Sequence, residues 1–112
     1  MSLKEDNPSP FTKRLKEARV NAKLSQKKLG ILSGIDEFTA SARMNQYEQG
    51  VHTPNYATVK HLAKVLNVPT SYMFEEDDEI AHMLMSYHQL NDAEKTSVND
   101  KINNYMLNKS AE

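Results

Sequence analysis

The apolar positions of this chain recur at intervals of three and four residues, which is the spacing of amphipathic α-helices. Five such segments precede residue 75 and two more follow it. The first begins at Ser9 and Pro10, a cap residue followed by the residue favoured at the first helical position. Phe11 and Leu15 lie on its apolar face, and Arg14 is expected on its charged, solvent-facing side. The pattern predicts an all-α protein.

Cap and stop residues predict the boundaries of the next helices. Ser25 can cap a short second helix, and Asp36 can cap a third helix that ends at Gly50. Pro54 and Asn55 open a fourth helix, because proline favours the first turn and asparagine is a common cap. The segment VPTSYMF predicts a short fifth helix.

The acidic run EEDDE interrupts the apolar pattern and predicts a boundary at residue 75. We therefore expect a first domain over residues 9–74 and a C-terminal extension over residues 75–112. In the extension, Asn91 and Glu94 have capping-box spacing at the start of the seventh helix. Two arrangements stay open for the last two helices. They can enlarge the core of their own domain, or they can pair with the same hairpin of a second chain.

Composition excludes several classes of function. The 112 residues include no cysteine, so no thiolate nucleophile or cysteine-bound zinc is possible, and the four histidines do not form metal-binding pairs. With no glycine-rich phosphate loop either, we expect no enzyme, no cofactor, no metal and no small-molecule ligand. No apolar stretch approaches the roughly 20 residues that span a bilayer. The N-terminal stretch MSLKEDNPSPF also lacks the apolar run of a secretion signal, so we expect a cytoplasmic protein without membrane contact.

The net charge of −1 hides an asymmetry along the chain. Up to Thr70, eleven lysines and arginines outnumber six acids, which gives +5, and the remainder has a charge of −6. A basic first part and an acidic second part indicate two different roles, although simple solvation of the surface is an equally good explanation of the charges alone.

The third predicted helix, within EFTASARMNQYEQG over residues 37–50, has an unusual polar face. Ala40, Met44 and Tyr47 form its apolar stripe at i, i+4 and i+7. The other helices of this chain have lysines and glutamates on their polar faces. Here that face consists of amides, one arginine and small residues, namely Ser41, Ala42, Arg43, Asn45, Gln46 and Gln49.

Such a face suits the major groove of DNA, which admits one α-helix and presents the edges of the bases to it. Asparagine and glutamine can pair with adenine and arginine with guanine, whereas a carboxylate in the same position is repelled by the phosphates. The second and third helices, joined by a turn after Gly34, form a helix-turn-helix candidate. The alternative interpretation is an ordinary amphipathic helix with a neutral polar face.

Short motifs over residues 11–74 favour the first interpretation. RLKEAR lies in the first helix, LSQKKLG opens the second, MNQYEQG ends the third, and TP and TVKHLAKVLNVP follow. In this order and spacing the segment resembles the DNA-binding domain of the lambdoid phage repressors and of the Xre family of bacterial regulators. The resemblance implies a five-helix, repressor-like helix-turn-helix domain, here with a C-terminal two-helix extension. It also implies that the third helix lies in the major groove of operator DNA.

The resemblance further implies roles for single residues. Gln26 would bond a phosphate from the first turn of the second helix. Glu48, an acid near DNA, would pair with Arg19 and orient the guanidinium toward a phosphate. Ser41, Ala42 and Gln46 would face base edges, and residues 51–53 would lie along the phosphates. The complete set of residues expected to contact DNA is Arg19, Gln26, Ser41, Ala42, Arg43, Asn45, Gln46, Gln49, His52 and Thr53.

One departure from the family pattern lies between Gly34 and Tyr47, where this chain has about four additional residues. Four residues are close to one helical turn of 3.6. Either the turn is longer, or the third helix begins one turn earlier, near residues 36–38.

The sequence thus predicts a sequence-specific DNA-binding transcriptional regulator, and we expect a repressor. Its expected partners are double-stranded operator DNA and a second copy of the chain in a homodimer. The alternative is a protein-interaction module that binds a partner protein through the same helical face.

Overall fold

The computed structural model describes residues 9–111. Residues 1–8, on which the expectation of no secretion signal largely rests, lie outside this range. Residue 112, the last of the predicted extension, lies outside it as well. Within the described range the fold contains helices and no strands, which confirms the all-α prediction. The elements are α1 (Phe11–Asn21), α2 (Gln26–Leu32), α3 (Ala40–Gln49), α4 (Tyr56–Leu66), a 3₁₀-helix (Thr70–Phe74), α5 (Asp78–His88) and α6 (Asp92–Ala111).

Ser25 and Asn55 cap the starts of α2 and α4 as predicted, whereas α1 begins at Phe11 with Pro10, not Ser9, at the cap position. Ser25 Oγ accepts a hydrogen bond from the backbone N–H of Lys28 at 3.0 Å, and Asn55 Oδ1 accepts one from Thr58 at 2.9 Å. Gly50 follows α3 with φ +76°, a left-handed conformation that is strained for residues with a side chain. The predicted fifth helix is the short 3₁₀-helix.

The core of the domain lies between the first four helices and the 3₁₀-helix. Its completely buried side chains are large and apolar, and they are Leu15, Leu29, Met44, Val59, Leu62, Tyr72 and Met73. Gly30 lets α2 approach α3 closely, because a Cβ added at Gly30 lies only 2.9 Å from the Cβ of Ala40. The position of α3 therefore depends on a glycine in the helix before it.

The additional residues between α2 and α3 form a separate turn. Asp36 Oδ2 accepts from the Phe38 N–H at 3.0 Å, and the backbone oxygen of Asp36 accepts from the Thr39 N–H at 3.1 Å. Helix α3 begins only at Ala40, so the longer turn, and not a longer helix, accommodates the extra residues. The expectation that Asp36 caps α3 itself is wrong, because its side chain caps the preceding turn.

Arg14 is buried, with 2% of its side chain exposed, so its expected place on the solvent face of α1 is wrong. Its Nε donates to the backbone oxygen of Glu75 at 2.8 Å, and its guanidinium also contacts Glu17 and Asp78. The guanidinium lies over the ring of Tyr72 as well. A buried guanidinium is tolerated because nearly all of its donors are satisfied. Arg14 thereby joins α1 to the segment that leads into α5.

The two C-terminal helices differ in how they contact the domain. Helix α5 docks through the buried Ala81 and through Asp78, which accepts from Lys13 Nζ at 2.8 Å. The hydrogen bonds from Lys13 and then Arg14 lower the pKa of Asp78. Helix α6 begins with the predicted capping box, in which Asn91 and Glu94 exchange bonds of 2.9 and 2.8 Å, yet none of its described residues is buried.

Candidate nucleic-acid interface

Helix α3 presents the polar face that the sequence predicted. Met44 and Tyr47 are buried against the core, and Ala40 is buried against α2. The residues on the opposite side are exposed, except that Gln46 is half-buried. The exposed set consists of Ser41, Ala42, Arg43, Asn45 and Gln49. The core thus fixes the rotation of α3 and leaves the polar side chains of that face toward solvent.

Arg19 of α1 and Glu48 of α3 form a two-point ion pair. Arg19 donates through Nε to Glu48 Oε2 and through Nη2 to Glu48 Oε1, the latter at 3.1 Å. A third donor, Nη1, bonds the backbone oxygen of Leu24 at 3.0 Å. The side chain of Glu48 is 2% exposed and that of Arg19 is 15% exposed. The acid on α3 is therefore neutralised by a fixed cation that keeps one edge near solvent.

Gln26 extends the same network to the start of α2. Its Nε2 donates to Glu48 Oε1 at 3.2 Å and to Asn45 Oδ1 at 3.3 Å. Because the amide nitrogen serves both acceptors, the orientation of the Gln26 side chain is set by α3. A side chain held in one rotamer loses less conformational entropy when it binds a ligand.

A groove runs beside the C-terminal half of α3 and reaches the first turn of α4. Of the residues expected to contact DNA, four line it, namely Arg43, Gln46, His52 and Thr53. Asn55 and Thr58 line it as well, although the sequence pattern assigned Asn55 only to capping. The N-terminal turn of a helix carries partial positive charge and free N–H groups, so this end of the groove suits an anion such as a phosphate.

The structure brings the predicted residues together in two groups. Hydrogen bonds join Arg19, Gln26 and Asn45 around Glu48, and the groove joins Arg43, Gln46, His52 and Thr53. Ser41, Ala42 and Gln49 are exposed on α3. The sequence did not predict that Asn55 and Thr58 line the groove, or that the side chain of Phe38 is 88% exposed in the turn before α3.

Two absences in the described part of the chain concern metal binding and membrane insertion. Residues 9–111 contain no group of three or more His, Asp or Glu side chains arranged to hold a metal ion. Over the same range, no helix is both long enough and apolar enough to cross a membrane.

Comparison with known proteins places the fold among DNA-binding regulators. A family described as "Helix-turn-helix domain" matches residues 12–79. An uncharacterized HTH-type transcriptional regulator of Bacillus subtilis strain 168, RghRB, is 44% identical over 62 residues. That alignment covers 54% of this chain and 42% of the relative, so the chain spans less than half the length of RghRB.

The crystal structure of the transcriptional regulator BswR is similar over a longer stretch. The superposition has a TM-score of 0.79 with 45% sequence identity. It covers 83% of this chain and 92% of BswR, so the similarity extends beyond residue 79 into the C-terminal helices.

Proposed function

This chain belongs to the helix-turn-helix family, and from that membership we propose that it regulates transcription by binding operator DNA with α3 in the major groove. The family match and both relatives support a DNA-binding transcription regulator. The observation that supports the role of α3 best is its exposed face of amides and small residues, held in place by a buried apolar stripe.

In the proposed complex, residues on α3 contact bases. Gln46 and Asn45 can each form two hydrogen bonds with an adenine edge, and Arg43 can do the same with a guanine. Ser41 and Ala42 are small enough to let the backbone of α3 approach the base pairs. Contacts of this kind distinguish one base pair from another, because each pair displays its own set of donors and acceptors in the major groove.

Residues around α3 hold the phosphates. Arg19 and Gln26 are bonded to Glu48 of α3, and His52 and Thr53 line the groove beside the C-terminal half of α3. Contacts with phosphates at these positions fix the position of the helix in the groove without contributing sequence preference directly. The +5 charge of the chain up to Thr70 provides a favourable field for such contacts.

The proposal extends to the mode of regulation. A bound regulator of this size covers its operator and competes with polymerase for the same DNA, so we propose repression. The protein would act in the cytoplasm, and operator binding requires neither a catalytic step nor a cofactor.

The C-terminal helices support a homodimer. Helix α6 has 20 residues, nearly twice the 11 of α5, and none of its described residues is buried. Tyr105, Met106 and Leu107 lie in the C-terminal half of α6 and are exposed, Tyr105 to 70%. An apolar groove of about 410 Å³ between the two helices, lined by Met83, Leu84, Tyr87, Leu90, Val98 and Ile102, adjoins them.

A second copy of the chain is the partner that fits this surface. In a two-fold dimer, the exposed apolar side chains of α6 in each chain can pack into the groove between α5 and α6 of the other chain. Dimeric helix-turn-helix proteins bind two half-sites about 34–36 Å apart, which doubles the number of base contacts. The charge of −6 after Thr70 also disfavours DNA as the occupant. We therefore propose that α5 and α6 form the dimer interface.

The test of DNA binding begins with selection of duplexes from random DNA, followed by titration of a selected duplex at two salt concentrations. We expect log K to fall by about 0.9 for each phosphate contact as log salt rises. Failure to enrich any duplex, or an affinity that does not change with salt, would instead favour the alternative function, a module that binds a protein partner through α3.

The test of the dimer uses two variants of α6. Tyr105→Glu places a charge in the proposed interface, and Asn104→Glu places the same charge on the adjacent, polar side of the same exposed helix. We expect light scattering to give a dimer mass for the parent and for Asn104→Glu, and a monomer mass for Tyr105→Glu. A monomeric parent at tens of micromolar, with or without a palindromic duplex, contradicts the proposal.

A further inference from the structure

Phe38 is the most exposed large apolar side chain among the described residues, at 88%. It lies in the turn over residues 36–39, which departs from the family pattern. The turn is held by bonds from the Phe38 and Thr39 N–H groups to Asp36, and the Arg43 N–H bonds the Thr39 backbone oxygen at 2.8 Å. The structure thus places an exposed apolar ring on a turn whose backbone is fixed by hydrogen bonds.

The position of Phe38 relative to α3 indicates what it contacts. Thr39 has helical backbone angles and connects the turn directly to α3. Phe38 is the residue before Thr39, whose backbone oxygen accepts from the Arg43 N–H in the first turn of α3. The exposed Ser41 and Ala42 lie in that same turn. Phe38 therefore lies next to the N-terminal end of the proposed DNA-contacting helix.

The chemistry of the major groove offers one apolar feature, the C5 methyl group of thymine. Phosphates are poor neighbours for this turn, because the carboxylates of Asp36 and Glu37 flank Phe38. Aromatic and other apolar side chains contact thymine methyl groups in known complexes.

We propose that Phe38 is a specificity-determining residue that packs against a thymine methyl group at the edge of each half-site. This inference rests on the proposed binding of α3 in the major groove. Phe38 precedes the first turn of α3 and Gln46 lies in the C-terminal half of that helix, so they specify different base pairs. The additional turn before α3 thereby extends the recognised sequence beyond the reach of α3 itself.

The experiment uses the full chain and a duplex selected from random DNA, in which each thymine is replaced in turn by uracil. This replacement removes one methyl group and leaves every hydrogen bond unchanged. For the parent we expect the replacement of one thymine in each half-site to reduce affinity about fourfold. This loss corresponds to about 0.8 kcal/mol, the free energy of burying one carbon. Phe38→Ala should bind the thymine duplex roughly tenfold more weakly and should show no loss on the same replacement.

Phe38→Leu, which keeps an apolar side chain, should retain part of the uracil effect. The control Val20→Ala, which shortens an exposed apolar residue on α1, should show the affinity and the uracil effect of the parent. If Phe38→Ala keeps the affinity and the uracil sensitivity of the parent, the inference is overturned while the proposed function stands. A parent that binds no duplex selectively defeats the proposed function itself. A change in light-scattering mass for Phe38→Ala would assign Phe38 to contact between proteins and also overturn the inference.

Discussion

Replacing Arg19 with alanine tests the network that supports α3. The change leaves the carboxylate of Glu48, which is 2% exposed, with Gln26 as its remaining side-chain donor. Removing one member of a buried ion pair costs about 3–5 kcal/mol because the other charge stays buried. The pair here lies at the edge of the domain, and Arg19 is 15% exposed, so water can reach part of the site. We therefore expect a loss of about 2–3 kcal/mol for Arg19→Ala.

Two companion variants separate the interaction energy of the ion pair from the contributions of the other contacts of each side chain. Glu48→Ala leaves Arg19 with the Leu24 oxygen and a route to solvent, so we expect a smaller loss of about 1–2 kcal/mol. In the double variant neither charge is left alone, and its loss should be well below the sum of the two single losses. The coupling energy should lie between about 1 and 3 kcal/mol.

Urea unfolding followed by circular dichroism gives these free energies, with all four proteins at one concentration because dimerisation makes stability depend on it. Thermal unfolding should show a fall in Tm of about 10 °C for Arg19→Ala. A double variant whose loss equals the sum of the singles within about 0.5 kcal/mol would show that the two side chains do not support each other.

The same variants test the role of the pair in DNA binding, at a temperature where all are folded. Arg19→Ala should reduce affinity more than Lys64→Ala, which removes an exposed charge near the far end of α4. The double variant should recover part of the loss, since it also removes the carboxylate that faces the phosphates. Equal effects of Arg19→Ala and Lys64→Ala refute a specific role of Arg19.

Two further changes probe the position of α3 and the docking of α5. Gly30→Ala should lower the free energy of unfolding by about 1–2 kcal/mol and weaken DNA binding, because its Cβ pushes on Ala40 and Met44. Ala40→Gly in the same chain removes the shortest of these contacts and should restore part of both losses in urea unfolding and anisotropy measurements. Asp78→Asn should lower Tm at neutral pH. Because the folded pKa of Asp78 is lowered, the contribution of its carboxylate is present above its usual pKa of 3.8 and is lost as the pH falls through the lowered value. The Tm difference between parent and variant should therefore shrink in acid, and a constant difference contradicts the assignment.

Much of the fold follows from local chemistry in the sequence. Ser25 and Asn55 are side chains that accept from free N–H groups at helix starts, and Gly50 tolerates a left-handed backbone, so each marks a boundary whatever the rest of the chain does. The amide face of α3 was equally visible, because its composition differs from that of the other helices. These features depend on neighbours within four residues.

Features that depend on distant residues could not be predicted from the sequence pattern. Arg14 looked like a surface residue on α1, and its burial depends on backbone oxygens more than 60 positions away. The turn with Asp36 and Phe38 could equally have lengthened α3, since the same residues can cap a helix or a turn. The sequence left open what α6 packs against, and none of its described residues is buried.

The most direct test of the account is the base preference of the parent compared with that of Gln46→Ala, measured by selection from random duplex DNA. Lys64→Ala serves as the control, because it lies outside the proposed interface. We expect a symmetric site with two half-sites about one DNA turn apart. Gln46→Ala should lose preference at one base pair of each half-site, at a cost of about 1–3 kcal/mol, and keep the others. Identical preferences in all three proteins would mean that α3 does not contact the bases through Gln46, and would contradict the central claim.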